Sequence, residues 1–227
     1  MVLPIPKKLV CVFAHPDDEA FGPGGTIAYF ASKGIEIHLI CVTNGDADPQ
    51  FSKGKVSGRQ LGKIRRLELQ SSAKILGVKS VTFLDFKDGN LNNNNYHDVI
   101  NEINKIIDNI NSDSLLTYYI DGVSGHLDHV AVAMETSYIF EHTKYIKNLF
   151  YFVQNSTMKK LIGSKYFVYH PTGFSKDEVD WVHDISPFFK TKIDAMKAHK
   201  SQLKDFFLIR TLFGKLLKEE LFKIISK

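Results

Sequence analysis

The sequence predicts a single α/β domain, in which a mostly parallel sheet carries helices on both faces in a Rossmann-like, three-layer arrangement. Short apolar runs alternate with segments of helical periodicity, which is the pattern of repeated β-helix-β units. At 227 residues and 44% hydrophobic content, the chain suits one large core. We therefore expect one domain over residues 1–227, in which 187–227 form a C-terminal helical segment packed on the rest.

The first half of the chain supplies four predicted strands. Residues 9–14 form a short apolar run, and Pro16 ends it because proline cannot continue a strand's hydrogen-bond ladder. A glycine-rich turn then leads into the first helix. The elements expected over this half are a helix at 26–32, a strand at 35–42, a helix at 60–76, a strand at 78–84, a helix at 96–111 and a strand at 115–120.

The second half begins with a predicted helix from about 127 to 141. Further strands are expected at 149–153, 166–169 and 178–185, with 154–164 as a polar connection. From 203 to 227, phenylalanine, leucine, isoleucine and lysine alternate as in an amphipathic helix. Such a helix packs against the core or against another subunit, so a homo-oligomer is one expectation.

Residues 46–58 form a long connection rich in glycine, serine and lysine. A loop of this length and composition is either a mobile lid over a site or a surface loop with no role at the site. We favour the lid.

Charge and cysteine content exclude several classes of protein. The 29 basic residues exceed the 25 acidic ones by only four and are scattered, which argues against a nucleic-acid partner. Cys11 and Cys41 each lie in an apolar run, as reduced core thiols do in cytosolic proteins. No signal peptide or apolar stretch of transmembrane length is visible. We expect a cytoplasmic protein with no membrane span.

The predicted first strand ends in a cluster of polar residues, His15-Pro16-Asp17-Asp18-Glu19. Ligands collect at the carboxyl ends of strands in open α/β sheets. Two adjacent carboxylates repel each other and resist burial unless a positive charge neutralises them. A divalent metal held by His15 and Asp18 would do so and leave Asp17 free to move protons. Catalytic zinc usually takes three protein ligands, so a second strand end should supply another.

The segment after the predicted strand at 115–120 meets that requirement. His126 and His129 are three residues apart, so in the first turn of a helix they share a face. Histidines pair in this way by chance as well. Here, however, two polar clusters follow two parallel strands and converge on one crevice.

These two segments together resemble the LmbE-like, or PIG-L, family of zinc-dependent de-N-acetylases. That family includes N-acetylglucosaminyl-phosphatidylinositol de-N-acetylase and the deacetylases of mycothiol and bacillithiol synthesis. The hexapeptide Ala14-His15-Pro16-Asp17-Asp18-Glu19 carries most of the resemblance, with His126-Leu127-Asp128-His129 beside it. Supporting matches are Thr43-Asn44-Gly45, Arg65, Glu68-Leu69, Leu76-Gly77-Val78, Leu84, Asp88-Gly89, Lys192, Ala195, His199, Ser201 and Gln202.

The resemblance implies a role for each residue of the two motifs. His15, Asp18 and His129 would bind Zn²⁺, although such ligands also accept other divalent metals such as Fe²⁺. The catalytic set would be Asp17 as general base, His126, which when protonated faces the oxyanion, and Asp128. The implied substrate contacts are Arg65, Asp88, Asp46 and Ser124.

Three positions depart from the family pattern. Asp46 stands where the family usually has glutamate, Leu127 replaces a common proline, and Ser124 occupies the place of a tyrosine that acts in some members. None of them removes an implied metal ligand. The departures concern the oxyanion contacts and the substrate side of the site.

The predicted activity is the metal-assisted hydrolysis of an N-acetyl group on an N-acetylglucosamine-type sugar or small glycoconjugate. Two alternatives remain open from the sequence. One is a metal-dependent amidase that acts on a non-acetyl or non-sugar amide. The other is a non-catalytic α/β module that binds a sugar or nucleotide, although neither motif contains the cysteine common in closed structural zinc sites.

His199 has two interpretations of equal weight in the sequence. It is either a helix-face residue bonded to a backbone group or part of the site, as the family resemblance implies. His38, His97, His142, His170 and His183 have no partner at ligand spacing and are expected to be structural or exposed.

Overall fold

A computed structural model describes residues 3–47, 57–162 and 169–227, and within these it confirms the predicted fold class. Seven strands form one sheet in the order β3-β2-β1-β4-β5-β7-β6. The strands are β1 (Lys8–Phe13), β2 (Glu36–Thr43), β3 (Ser80–Phe86), β4 (Ser114–Tyr118), β5 (Asn148–Val153), β6 (Trp181–Asp184) and β7 (Glu219–Ser226). The helices are α1 (Asp18–Phe21), α2 (Gly24–Ser32), α3 (Gly58–Leu76), α4 (Tyr96–Ile110), α5 (Leu127–His142), α6 (Ser156–Ile162), α7 (Phe189–Ala198) and α8 (Leu203–Phe213).

Strands β1 to β5 are parallel, and β1 lies at their centre. It pairs with β2 on one side, where Val10 faces His38, and with β4 on the other, where Val10 faces Leu115. The chain winds outward from β1 in one direction through β2 and β3, and in the other through β4 and β5. The crevice between β1 and β4 is therefore the topological switch point, where ligands bind in such sheets.

Two separate apolar clusters pack on the two faces of the sheet, as a three-layer domain requires. One contains Phe13, Ile27 and Leu69, and thus lies under α2, α3 and α7. The other contains Val12, Ile103 and Ile139, and lies under α4 and α5. Alternate residues of β1 enter opposite clusters, which explains why that strand is apolar along its whole length.

The C-terminal segment corrects the predicted helix over 203–227. Helix α8 ends at Phe213, and residues 219–226 form β7, which pairs antiparallel with both β5 and β6. Gly214 at φ 46° breaks the helix. Beyond it, Leu221 and Phe222 are buried in the sheet. The helical description of 187–227 therefore holds only for its first part.

Two other predicted elements differ from the structure. Residues 154–164 were expected to be a polar connection, but α6 (Ser156–Ile162) lies within them. The strand expected at 166–169 lies almost entirely outside the described residues. The strand expected at 178–185 is confirmed in its central part as β6. Among the described residues, no helix is both long and apolar enough to cross a membrane.

Glu135 on α5 is a buried acid without a partner. It is 4% exposed, and neither of its carboxyl oxygens has a hydrogen-bond donor among the described residues. Burial raises the pKa of Glu135 to about 8, and the negative charge of Asp128 on the same helix adds to the shift. The carboxyl group is therefore protonated at neutral pH.

The raised pKa of Glu135 makes stability depend on pH. Between its ordinary pKa of 4.5 and about 8, the native protein binds more protons than the unfolded chain, so stability falls as pH rises. The slope approaches about 1.4 kcal/mol per pH unit. We expect the gain in free energy of unfolding from Glu135→Gln, measured by urea denaturation, to grow from pH 5 to pH 8. Glu141→Gln, on the exposed face of the same helix, is the control and should show no such trend.

Candidate metal and catalytic site

The two polar motifs meet at the carboxyl ends of β1 and β4, as predicted. His15 follows β1 directly, and the turn after it places Asp17 and Asp18 at the start of α1. His126 is the N-terminal cap of α5, and Asp128 and His129 lie in its first turn. Because β1 and β4 are adjacent and parallel, both motifs open into the same crevice.

Three side chains converge on one point in this crevice. His15 Nδ1 lies 3.1 Å from His129 Nε2, and His129 Nε2 lies 3.2 Å from Asp18 Oδ1. The second oxygen of Asp18 is 3.8 Å from His15 Nδ1 and accepts a hydrogen bond of 2.8 Å from the backbone N–H of His15. The Tyr118 hydroxyl donates to Asp18 Oδ1 at 3.2 Å, which fixes the carboxylate from the other side.

The other ring nitrogens show where the protons lie. His129 Nδ1 faces the carbonyl oxygen of Gly122 at 3.1 Å, so it carries the hydrogen, and Nε2 presents a lone pair. His15 Nε2 faces the carboxylates of Asp88 and Asp128, so in a neutral ring Nδ1 presents the lone pair. Two nitrogen lone pairs and a carboxylate oxygen then point at one another. A positive charge between them, either a bound metal ion or a proton on one of the rings, makes this arrangement favourable.

Asp88 and Asp128 hold His15 from behind. Asp88 Oδ1 lies 3.0 Å and Asp128 Oδ2 3.3 Å from His15 Nε2. Burial lowers the pKa of His15, but the hydrogen bonds to Asp128 and Asp88 outweigh burial and raise it to about 10. A carboxylate behind a ligating histidine fixes its tautomer and increases its basicity. The structure therefore gives Asp128, predicted as catalytic, a contact with His15.

Other sets of side chains in the crevice are also close enough to share an ion. His15, His126 and His129 form one such set, and His15, Asp88 and Asp128 form another. The second set uses His15 Nε2, whose hydrogen the two carboxylates share. In the first, His126 Nδ1 already accepts a hydrogen bond of 3.1 Å from the backbone N–H of Asp128. The set implied by the family resemblance, His15, Asp18 and His129, stays a prediction, and a His₂-carboxylate set of this kind suits Zn²⁺.

Asp17 lies beside these donors but is bound to a different partner. Arg65 donates to Asp17 Oδ2 at 3.0 Å and to the carbonyl oxygen of Pro16 at 2.7 Å. Burial raises the pKa of Asp17 to about 6; the Arg65 guanidinium opposes the shift, and the charge of Asp18 adds to it. A carboxyl group with a pKa near neutrality is suited to proton transfer.

The surroundings of His126 favour the neutral form of its ring. Burial, together with the positive charges of His15 and His129, lowers the pKa of His126 to about 4. Because Nδ1 accepts the backbone hydrogen bond from Asp128, the proton of the neutral ring lies on Nε2. The ring can therefore donate one hydrogen bond as a neutral group. A neutral donor still stabilises a developing negative oxygen.

The four predicted substrate contacts are mostly engaged within the site itself. Arg65 and Asp88 are both buried against other residues of the crevice, and the Ser124 hydroxyl lies 3.0 Å from His129 Nδ1. Asp46 differs, because its Oδ1 is buried without a hydrogen-bond partner among the described residues. Of the predicted lid at 46–58, residues 48–56 lie outside the described part of the chain.

A cavity of about 440 Å³ opens next to the site. Asp46 and three basic residues of α3, Arg59, Lys63 and Arg66, line it. Asp46 is followed by Ala47, whose backbone N–H donates at 3.0 Å to the same Asp88 carboxylate that contacts His15. Two hydrogen bonds therefore connect the cavity wall to a predicted metal ligand.

Sequence reasoning assigned no role to Glu19 or Tyr118. Glu19 is fully buried and accepts a hydrogen bond from the backbone N–H of Asp17 at 3.1 Å. Its position at the end of the hexapeptide was the available signal. Tyr118 is the last residue of β4, and nothing in the strand's apolar pattern distinguishes it from a core residue.

A family model described as "PIG-L: GlcNAc-PI de-N-acetylase" matches residues 10–139, which include both motifs. The chain belongs to the PIG-L family. A Bacillus cereus relative named "Probable N-acetyl-alpha-D-glucosaminyl L-malate deacetylase 2" is 28% identical over 204 residues, covering 86% of this chain and 84% of the relative. The resemblance to this family found from the sequence is thereby confirmed.

Solved structures agree with the PIG-L assignment. An N,N'-diacetylchitobiose deacetylase from Pyrococcus horikoshii has a TM-score of 0.70 and 25% identity, covering 97% of this chain and 84% of its own. A 4-carboxy-2-hydroxymuconate hydratase from Pseudomonas putida has a TM-score of 0.67 at 18% identity, covering 97% of both chains. At that identity the hydratase shows a shared fold alone.

The contact of Asp88 with His15 predicts an effect on metal binding. Asp88→Asn removes one of two charges that hold the His15 ring, and such losses typically weaken metal binding about 10- to 100-fold. We expect that loss in Zn²⁺ affinity, measured by competition with a chromogenic chelator. Asp85→Asn is the matched control, because Asp85 lies three residues before Asp88, at the end of β3, but binds Arg66. Equal affinities for the Asp88→Asn and wild-type proteins would contradict the assignment.

Proposed function

We propose that this protein is a metal-dependent de-N-acetylase that removes the acetyl group from an N-acetylglucosamine-type sugar or small glycoconjugate. The observation that carries the proposal is that His15, Asp18 and His129 converge, while Asp17 lies beside them and is bound to Arg65. The family description and the names of the relatives support the reaction and the sugar.

In this proposal His15, Asp18 and His129 hold the metal, with Zn²⁺ as the preferred ion. Two imidazoles and one carboxylate are a donor set typical of catalytic zinc, and Fe²⁺ is the next candidate. When bound, such an ion polarises a carbonyl group and lowers the pKa of water from 15.7 to about 7. A deacetylase among the structural neighbours is described as zinc-inhibited, so the amount of zinc matters in any assay.

Asp17 and His126 carry out the proton and charge steps. Asp17, held by Arg65, takes the proton from the attacking water and passes it to the departing amine nitrogen. His126 Nε2–H donates to the carbonyl oxygen as negative charge develops there, a contact worth about 3 kcal/mol in comparable sites. The products are acetate and the free amine. Asp88 and Asp128 keep His15 in the required orientation, and Ser124 does the same for His129.

We further propose that the substituent on the sugar is acidic and occupies the cavity beside the site. Arg59, Lys63 and Arg66 lie four and three residues apart on α3, so they share one face. Arg66 is paired with Asp85, while Arg59 and Lys63 are exposed. The Bacillus cereus relative is named for a sugar that carries malate, a dicarboxylate.

We propose a cytoplasmic location for the protein, because Cys11 and Cys41 are free thiols. The homo-oligomer expected from the sequence stays a prediction.

The proposed division of roles separates binding of the metal from turnover. Asp17→Asn should bind Zn²⁺ like the wild type and lose about 10²- to 10⁴-fold in kcat, because the water loses its base. His129→Ala should lose the metal itself. Metal content by mass spectrometry and acetate release from N-acetylglucosamine conjugates, with and without chelator, measure both effects. An Asp17→Asn protein with near wild-type turnover would remove Asp17 from the role of base.

The basic cavity predicts selectivity for charge. Lys63→Glu should raise KM for an acidic N-acetylglucosamine conjugate about 3- to 10-fold, since exposed charge pairs contribute little individually. The KM for an uncharged N-acetylglucosaminide should stay the same. Lys74→Glu, exposed farther along the same helix, is the control. Equal effects of Lys63→Glu on both substrates would refute an acidic substituent in this cavity.

A further inference from the structure

The backbone at Asp17 adopts a conformation that an L-residue rarely takes. Its φ is 128° and its ψ is −24°. Residues held in such sparsely populated regions persist only when their surroundings fix them. In this chain the strained residue is also the proposed general base, so the groups that fix its backbone also fix where its carboxylate points.

Glu19 provides the first of these constraints. Its Oε2 accepts the hydrogen bond from the backbone N–H of Asp17 at 3.1 Å. Its Oε1 accepts from the Ser72 hydroxyl at 2.5 Å and lies 2.7 Å from His199 Nε2. Glu19, Ser72 and His199 are each 0% exposed. The contact between Glu19 and Asp17 is therefore anchored on α3 and on the residue that follows α7.

A second constraint reaches Asp17 through its side chain. Ser201 donates to Glu68 from its backbone N–H at 2.8 Å and from its hydroxyl at 2.6 Å. Glu68 lies one turn after Arg65 on α3, and Arg65 donates to Asp17 Oδ2. The segment 199–202 thus contacts both buried acids, Glu19 and Glu68, that flank Asp17 and Arg65.

We propose that His199 is a positioning residue for the general base. Acting through Glu19, it holds the strained Asp17 backbone so that the Asp17 carboxylate faces the reacting groups and not the metal. The polar contact of the His199 ring in the described part of the chain is with Glu19, on the side away from the Asp17 N–H bond. The inference rests on the proposed function of Asp17. It also gives a role to the segment His199-Lys200-Ser201-Gln202, which the metal site does not use.

The unused nitrogen of His199 supports positioning over packing. His199 Nδ1 is buried and has no hydrogen-bond partner among the described residues. Leaving a buried polar atom unpaired costs free energy, so an apolar ring would suit a purely structural position better. The ring is thus present for its one polar contact, the Nε2 contact with Glu19.

The test is a double-mutant cycle that combines His199→Phe with Asp17→Asn. In the wild-type background we expect His199→Phe to lower kcat about 10- to 100-fold, the effect of misplacing a reacting group by about 1 Å. KM and zinc content should change by less than twofold. In the Asp17→Asn background the same substitution should cause no further loss, because the base it positions is gone. A similar loss in both backgrounds, or a loss of zinc that follows activity, overturns the proposal.

His38→Phe is the matched control. His38 is also a buried histidine beside an acid, with Nε2 3.0 Å from Glu36, but it lies near the amino end of β2, away from the crevice. The His38→Phe substitution should leave kcat unchanged even where it lowers the melting temperature. An equal loss of kcat in both phenylalanine variants would mean that instability alone explains the effect.

Two smaller substitutions keep the test valid where His199→Phe folds poorly. Glu19→Gln should retain most activity, because its amide oxygen can accept from Asp17 N–H while its amide nitrogen donates to the His199 ring, which then takes its proton on Nδ1. Glu19→Ala loses both contacts and should behave like His199→Phe. Equal activity of the Gln and Ala variants, at equal zinc content, would contradict positioning through Glu19.

A crystal structure of His199→Phe gives a readout independent of activity. We expect Asp17 to leave the positive φ region or its carboxylate to move away from Arg65. An Asp17 unchanged in both respects overturns the inference. Failure of the wild-type protein to release acetate from any N-acetyl sugar would instead overturn the proposed function, and the crystal structure would still decide the positioning of Asp17.

Discussion

The site depends on the convergence of two imidazole nitrogens and one carboxylate oxygen on a common point. His15 Nδ1, His129 Nε2 and Asp18 lie 3.1 to 3.8 Å from one another, and a positive charge shared by these atoms, from a metal ion or a ring proton, makes the arrangement favourable. The rest of the fold serves to hold them there. The parallel pairing of β1 with β4 brings the two motifs together, and the groups behind each ring prevent the histidines from turning away.

Five carboxylates, those of Asp17, Asp18, Glu19, Asp88 and Asp128, lie in or beside this crevice, and the cation or donor next to each one distinguishes their surroundings. Asp18 lies against His129, while Arg65 binds Asp17. His199 pairs with Glu19, and His15 pairs with Asp88 and Asp128. Burial opposes ionisation of both acids. The charge and hydrogen bond of His129, with the charge and backbone N–H of His15, outweigh burial and lower the pKa of Asp18, whereas burial prevails at Asp17 and raises its pKa. The pKa values of two adjacent aspartates are thereby shifted in opposite directions.

The sequence was sufficient for the parts of the site that depend on local spacing and on strand order. Strand order predicted that His15 and Asp18 would meet the histidines of the second motif, because a strand's end and a helix's first turn fix where those side chains lie, and the family resemblance singled out His129. It could not show that Ser124, Asp88 and Arg65 turn toward the catalytic groups, since each reaches its partner across the fold. The missed strand at 219–226 has the same cause. Its alternation of apolar and charged residues also fits a helix, and only pairing with β5 and β6 decides between the two.

The fold alone does not determine the reaction, because a hydratase shares it at 18% identity. The three departures from the family pattern indicate where this chain is free to vary. Leu127 is 77% exposed at the start of α5, so replacing proline there leaves the histidines in place. Ser124 supports His129, and Asp46 lines the neighbouring cavity. Two of the three changes thus lie on the rim of the site or toward the space beside the sugar, while the groups that would hold the metal and move the proton are retained. On the proposed function, variation of this kind changes which molecule is bound and preserves the bond that is broken.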